Sequence, residues 1–409
     1  MIDRVYFKNY KSFKEKQELQ LKPVTILIGK NNSGKTAVLK LLSLIEGSLS
    51  GDFSEPISYE YRGVKLGDDY RDLYYKRQGN SELEIKIVGF HNSFLEFKVT
   101  LNNSHTSNPT PQITYWANND VQLKYNYEKS RHLRAYFFDE QLSGNSYPLQ
   151  FKGLNIPDEL NKLNTKIDVS SFKTDTSYIG PLRISSEQIR YFTLPSNRNI
   201  KNVTSSGIEA YYLLIIEAMK NTSSLLEELN AWYAKNFNGW IINPIKDDAP
   251  FEIQLSRENP EYFSINLADV GQGITQSLPV IVSAFLPNEH SITMIEQPEL
   301  HLHPSAHGNL AELFVDTAKK YNKKYLIETH SQNFVLRLRR LVAEKKMNKD
   351  DLAIYWVDYD EDNNTSTLKK IEVDDLGGVD FWPENVFSET LDETIAIRSA
   401  QLKAKKNGS

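Results

Sequence analysis

The chain has 409 residues, a net charge of −5, 40% hydrophobic and 25% charged residues, and no cysteine. That is the profile of an ordinary globular protein, long enough for one composite domain with insertions or for two domains. It excludes disulfides and Cys-ligated zinc or iron–sulfur sites, advertises no overall basic field for nucleic acid, and fits a reducing compartment, the cytoplasm by default.

Met1 to Tyr10 contains Asp3, Arg4 and Lys8 and so lacks the apolar core of a signal peptide. The longest apolar run, Leu278 to Leu286, is about half a bilayer span, so no membrane crossing is expected. Val24 to Ile28 reads as a buried strand, and Val38, Leu41, Leu42 and Ile45 follow the spacing of a helix that stops at Gly47. Between them, Gly29-Lys30-Asn31-Asn32-Ser33-Gly34-Lys35-Thr36 satisfies G-x-x-x-x-G-K-[ST] in the strand-to-helix context that gives the pattern meaning. Gly29 and Gly34 let the main chain curl so that its amides face inward, and the helix adds its positive end. Lys35 is expected to reach the β and γ phosphates of ATP, and the Thr36 hydroxyl to ligate Mg²⁺.

From about Gly51 to Pro181 the character turns to β: Leu83, Ile85 and Ile87 alternate with charges, as do Val121, Leu123, Tyr125 and Tyr127. An antiparallel lobe over 51–200, inserted after the first helix, is the expectation. Tyr211, Leu214, Ile215 and Ala218, then Leu225 to Trp232, predict a small helical subdomain over 205–245. From Phe251 strand-helix alternation resumes, with uncharged runs at Ile292–Ile295, Tyr325–Ile327 and Leu352–Val357, as a buried parallel sheet requires. Residues 1–50 and 251–409 should therefore build one core, with Lys403 to Ser409 a disordered tail.

Three segments of that core bear on the phosphate cradle. Ile292 to Glu299 supplies Glu296, a carboxylate at a strand end that can hold Mg²⁺ through water. Glu328-Thr329-His330-Ser331 places His330 at the carboxyl edge of the sheet, as a γ-phosphate sensor or a structural turn histidine. Asp269-Val270-Gly271-Gln272-Gly273-Ile274-Thr275-Gln276 opens another helix on a Gly-rich turn. With one P-loop per chain, this second anion site would cap the γ-phosphate held by another copy in a twofold dimer; the plainer reading is a packing turn.

With these motifs in place, the chain resembles ABC-type ATPases of the RecF, SMC and OLD group. It is most like OLD-type AAA proteins without a Toprim nuclease domain, found in bacterial anti-phage systems such as Septu. The resemblance spans nearly the whole chain, including Phe7 to Phe13, Tyr178 to Arg183, Glu296 to Pro304 and Phe381-Trp382-Pro383. It implies an α/β P-loop NTPase fold, an ABC-type ATPase head with a mostly parallel core sheet, an antiparallel β-rich lobe and a small helical subdomain. It also implies that Lys11, Ser12 and Phe13 lie near the nucleotide, that Gly271, Gly273 and Thr275 act across the dimer, and that His303 occupies the D-loop. Many relatives carry glutamate directly after the Walker B carboxylate; here that residue is Gln297, whose amide orients water but accepts no proton. Either Glu299 substitutes or hydrolysis is slow.

Other signals are weaker. His301, His303, His307 and Glu299 could form a metal cluster, but the D-loop already accounts for them. Asp358 to Asp362 could suggest the paired metal-binding carboxylates of a Toprim nuclease. Fewer than 50 residues follow it, too few for that domain, so it reads as an acidic hairpin turn. Arg337, Arg339, Arg340, Lys345 and Lys346 form a local basic patch, either a solvated face or a DNA contact. The expected activity is ATP hydrolysis in a homodimer or higher even oligomer that controls a nuclease or other effector, with DNA or RNA as a further partner. The alternative is a nucleotide-gated scaffold with little hydrolysis.

Overall fold

The first 29 residues feed two different sheets. In the computed structural model, which describes all residues except 103–108, 126–134, 139–145, 150, 156–171, 221, 247–248, 260, 384–385, 388–392 and 402–409, β1 (Arg4–Lys8) and β2 (Gln17–Gln20) form an antiparallel pair. Strand β3 (Val24–Gly29) then enters a parallel sheet, followed by α1 (Lys35–Ser50) and a hairpin of β4 (Glu60–Tyr61) and β5 (Val64–Lys65). A meander follows: β6 (Leu83–Val88), β7 (Phe94–Asn102), β8 (Thr110–Asn118), β9 (Gln122–Tyr125), β10 (Ala135–Phe138) and β11 (Ser146–Pro148). Tyr127 and the Lys403–Ser409 tail lie outside the described residues.

After β12 (Thr176–Ile179) come α2 (Ile208–Ala218), α3 (Ser224–Asn236), β13 (Ile241–Ile245), β14 (Glu252–Arg257) and β15 (Phe263–Asn266). The chain closes with α4 (Gln272–Phe285), β16 (Ile292–Glu296), α5 (Pro304–Lys320), β17 (Lys324–Glu328), α6 (Gln332–Ala343), β18 (Leu352–Asp360) and β19 (Thr365–Ile371). The core sheet runs β12-β16-β17-β3-β18-β19, parallel except for β19. The lobe sheet runs β11-β10-β9-β8-β7-β6-β1-β2, its pairs all antiparallel.

The division expected at residues 50 and 200 is therefore not the division of the sheets. Strand β1 completes the lobe because its buried Val5 and Phe7 fall opposite Ile87 and Ile85 of β6 in register. Strand β12, expected in the lobe, instead pairs in parallel with β16 in the core. The alternation expected from Phe251 is also displaced: β13, β14 and β15 make a separate antiparallel sheet, and strand-helix order resumes only at α4. Strand β3 is buried on both faces, Leu27 packing in the cluster with α1 and the lobe, Val24, Ile26 and Ile28 in the cluster with α4, α5 and α6.

Helix α1 does not stop at Gly47. A side chain there would lie 2.8 Å from Tyr61, so Gly47 is a close-approach residue, and the helix ends one turn later at Gly51, whose φ of 80° suits a glycine cap. The helix end is tied to β12 by Glu46, which accepts from the Thr176 hydroxyl and pairs with Arg62 at 3.0 Å. Burial pushes the Glu46 carboxyl up to about 7. At the far end of α4, buried Lys323 donates to the carbonyls of Ser283 (3.1 Å), Ala284 (2.6 Å) and Leu286 (2.9 Å), capping the helix against its dipole.

Candidate functional site

Strand β3 delivers Gly29 to the carboxyl edge of the core sheet, where the chain must turn back sharply to begin α1. A Cβ on Gly29 would sit 2.4 Å from the Val357 carbonyl oxygen, and one on Gly34 (φ 104°) would sit 2.7 Å from Ser12 Oγ. Both positions therefore require glycine. Asn32 takes a φ of 61°; Asn31 and Asn32 are exposed while Ser33 is buried with no hydrogen-bond partner for its hydroxyl among the described residues. Helix α1 has no side-chain N-cap, so its first amides are available to an anion.

Lys35 is only 3% exposed. Its Nζ donates to the carbonyls of Gly29 (3.1 Å) and Lys30 (2.7 Å) and lies 3.8 Å from Glu328 Oε1. Thr36 Oγ1 donates to the other oxygen of the same carboxylate at 2.8 Å. Burial lowers the Lys35 pKa, opposed by Glu328 and then Glu296; burial raises that of Glu328, opposed chiefly by Lys35.

Glu296 and Glu328 are register partners at the ends of β16 and β17. The Glu296 carboxylate accepts from the Tyr178 hydroxyl of β12, on the side of β16 away from β3. Buried Arg183, drawn down to about 10 mainly by desolvation, donates to the carbonyls of Glu296 (2.8 Å), Gln297 (3.1 Å) and Gln276 (3.1 Å). One guanidinium thus joins the end of the Walker B strand to the first turns of α4. Gln297 has a φ of 44°, and its N–H donates to the Glu328 carbonyl at 2.8 Å.

Glu299 Oε1 accepts from the Thr329 hydroxyl (2.8 Å) and the His330 N–H (2.9 Å), which commits that oxygen to the turn presenting His330; its Oε2 is buried without a partner among the described residues. The His330 side chain itself is exposed, and desolvation, then Lys35, holds it below the ordinary histidine value, favouring the neutral ring. His307 ties the D-loop to this turn. Its Nε2 must carry the proton it gives the Leu302 carbonyl (3.1 Å), so Nδ1 accepts from the Ser331 hydroxyl (2.7 Å). His303 caps α5 through Nδ1 and the Ser305 amide. Two of the three clustered histidines, His303 and His307, are thus engaged in local hydrogen bonds.

At the second glycine turn, Gly271 and Gln272 are exposed, while a Cβ on Gly273 would lie 2.6 Å from the His301 carbonyl oxygen of the D-loop. Thr275 departs from the expectation that it acts across a dimer. It is 1% exposed, its hydroxyl donates to the Gln272 carbonyl (3.2 Å), and its own carbonyl accepts from Tyr211 (2.9 Å), so its side chain serves α4 within the chain. The Lys11 ammonium donates to the Leu66 carbonyl in the lobe, and its neighbours Ser12 and Phe13 pack against Gly34. Ser12 Oγ accepts from Ser366 of β19 at 2.7 Å.

The acidic hairpin reading holds, with Asp360 Oδ1 accepting from the amides of Asp362 and Asn363. The basic run is paired internally: Arg337 with Glu312, Arg339 with the Gly377 carbonyl and the Trp382 ring, Arg340 and Lys346 with Glu344, and Lys345 with the Asp375 carbonyl. Sequence reasoning gave no role to Glu328, Tyr178, Arg183 or Ser366. A charged residue ending an otherwise apolar buried strand was the available signal for Glu328.

Residues 1–335 match the model of the AAA ATPase domain family (AAA_15). The chain is 22% identical over 382 residues to the OLD nuclease of Thermus scotoductus, covering 91% of this chain and 66% of that protein. It is 30% identical over 112 residues to the uncharacterized protein MJECL10 of Methanocaldococcus jannaschii, covering 26% of this chain and 49% of the other. It therefore spans less than two thirds of the length of either relative. Among solved structures, an SMC head bound to the C-winged helix domain of ScpA superposes with a TM-score of 0.50 at 12% identity, covering 91% of this chain and 98% of that one. An SMC head with an extended coiled coil, bound to the C-terminal domain of ScpA derived from Pyrococcus furiosus, gives 0.50 at 12% identity, covering 97% and 99%. The fold is that of an SMC head, and the chain belongs to the AAA ATPase domain family.

Proposed function

We propose that this ATPase binds ATP with Mg²⁺ between Gly29 and Thr36, closes head-to-tail on a second copy, and reopens on hydrolysis to regulate a partner effector, a nuclease in anti-phage defence or DNA transactions. The observation that carries the reading is the contrast between a cradle lined by buried Lys35 and by Thr36, bonded to Glu328, and an exposed Gly271 turn with no neighbour within 4 Å of a Cβ added there. The first holds a triphosphate; the second is shaped to meet the phosphate of another copy. Thr36 and the carboxylate of Glu296 are hard oxygen donors that suit Mg²⁺, which when bound neutralises phosphate charge. Lys35 exchanges its two carbonyl partners for phosphate oxygens, Gln297 orients the attacking water, and His330 donates to the γ-phosphate as a neutral ring.

Turnover is slow in this account, because Gln297 takes no proton and Glu299 is engaged with Thr329 and His330. The same two observations favour the second reading, a nucleotide-gated scaffold. A relative named a nuclease, and SMC heads solved with ScpA domains bound, support an output delivered through a partner protein, with nucleic acid as its substrate. Steady-state phosphate release by the purified protein separates the two. A rate unchanged by Lys35→Ala removes the enzyme reading, and a large gain from Gln297→Glu favours the scaffold.

A further inference from the structure

We infer that Glu328, rather than Glu296 alone, is the carboxylate that seats the Thr36 hydroxyl for its metal, making it a positioning residue of the magnesium–nucleotide site. The inference rests on the ATP-binding reading above and extends it to a residue of the Glu328–Ser331 segment that had been given no role.

Topology supplies the first argument. Strand β17 pairs directly with β3, and Glu328 lies opposite Leu27; β16, with Glu296, lies one strand further out. Contact supplies the second. Glu328 spans the two P-loop residues that carry the chemistry, taking the Thr36 hydroxyl on Oε2 at 2.8 Å and facing Lys35 from Oε1 at 3.8 Å. Glu296 is instead engaged from the opposite side by the Tyr178 hydroxyl, and its carbonyl by Arg183. A hydroxyl that donates its proton to a carboxylate turns its lone pairs outward, which orients it as a metal ligand and raises its basicity.

Energetics supply the third. Glu328, Glu296 and Glu299 are all buried at one edge of the sheet, with Lys35 and Arg183 as the buried cations beside them. Desolvating a third carboxylate is costly, and an apolar residue at the end of β17 would fold more easily. A stability role therefore does not account for Glu328, whereas alignment of Thr36 does. Gln297 adds a link, since its N–H donates to the Glu328 carbonyl and so fixes the ends of β16 and β17 relative to each other.

The test is the affinity of the full chain for a fluorescent ATP analogue, titrated with magnesium chloride and separately in EDTA, for wild type, Glu328→Gln and Glu296→Gln. Glutamine keeps the size and can still accept from Thr36, and a thermal melt checks folding. The expected result is that magnesium strengthens wild-type binding and that Glu328→Gln reduces this enhancement by about 10–100-fold. Affinity in EDTA should hold or improve, because a negative charge beside the phosphates is gone. Magnesium enhancement of Glu328→Gln equal to wild type overturns the inference and leaves ATP binding standing. Failure of wild type to bind the analogue under either condition overturns both. Should Glu328→Gln melt early, Glu328→Asp, which retains the charge but shortens its reach, must show the same selective loss of magnesium enhancement; a parallel loss in EDTA would contradict the role.

Discussion

Two glycine-rich turns in this molecule open helices with no side-chain cap, and their polar groups meet opposite fates. At Gly29 to Thr36 the chain completes its own site: both glycines are forced by neighbours, Lys35 is buried on two carbonyls, and Thr36 is bonded across to Glu328. At Gly271 the turn is left open. Gly273 is locked against the His301 carbonyl and Thr275 is buried, but a Cβ on Gly271 would meet nothing within 4 Å, and no hydrogen bond among the described residues joins this turn to the P-loop of its own chain. The same local grammar therefore yields one turn whose side chains are engaged within the chain and one that faces open space, while the first amides of both helices stay without a side-chain cap.

The largest effect should come from disturbing the finished turn. Lys35→Ala should weaken nucleotide binding by about 100-fold or more. It should also destabilise the fold by up to about 3–5 kcal/mol, because Glu328 loses its buried cation. Adding Glu328→Gln should restore most of the stability and none of the binding. Urea denaturation beside calorimetric titration of the two variants checks this, and an equally stable Lys35→Ala would show that the buried Glu328 carboxylate does not depend on its cation.

The helix behind that turn should also respond to pH. Burial raises Glu46 from 4.5 to about 7 in the folded chain, so its protonated form is favoured by folding. The resulting stability is complete below about 4.5, is lost as pH rises through about 7, and is absent above that. The swing is about 3 kcal/mol, and Glu46→Gln should flatten it. Melting temperatures at pH 5, 6, 7.5 and 8.5 for the two proteins measure it; parallel profiles would contradict the assignment.

The smallest stability effects separate the glycines of the open turn. Gly273→Ala meets the His301 carbonyl at 2.6 Å and should cost about 1–3 kcal/mol. Gly271→Ala, at φ −58° with free space around it, should change stability by less than about 0.5 kcal/mol yet reduce nucleotide-driven self-association. Thermal melts and light scattering of both variants with nucleotide decide it; unchanged association of Gly271→Ala would remove that residue from the dimer interface.

Much of this architecture was legible in the residues. Strands β3, β16, β17 and β18 contain the uncharged runs Val24–Ile28, Ile292–Ile295, Tyr325–Ile327 and Leu352–Val357 because both faces of a parallel sheet are covered, and the P-loop pattern sat between a strand and a helix, where its chemistry works. The pairing of β1 with β6 was not legible, since partners such as Lys8 and Glu84 stand 76 positions apart and their alternation suits any strand edge. Glu328 was hidden for a related reason: a lone carboxylate at a strand end acquires meaning only when register sets it beside Thr36. The burial of Thr275 could have been anticipated, because it lies three residues before Leu278 and seven before Val282 on the core stripe of α4.

The most direct test of the account is calorimetry joined to light scattering on the full chain with magnesium and a non-hydrolysable ATP analogue. The account predicts saturable binding of one nucleotide per chain, a doubling of mass on saturation, and loss of both with Lys35→Ala. Absence of any binding by the wild-type chain would contradict it, and binding with no change in mass would confine it to the cradle and discard the shared site.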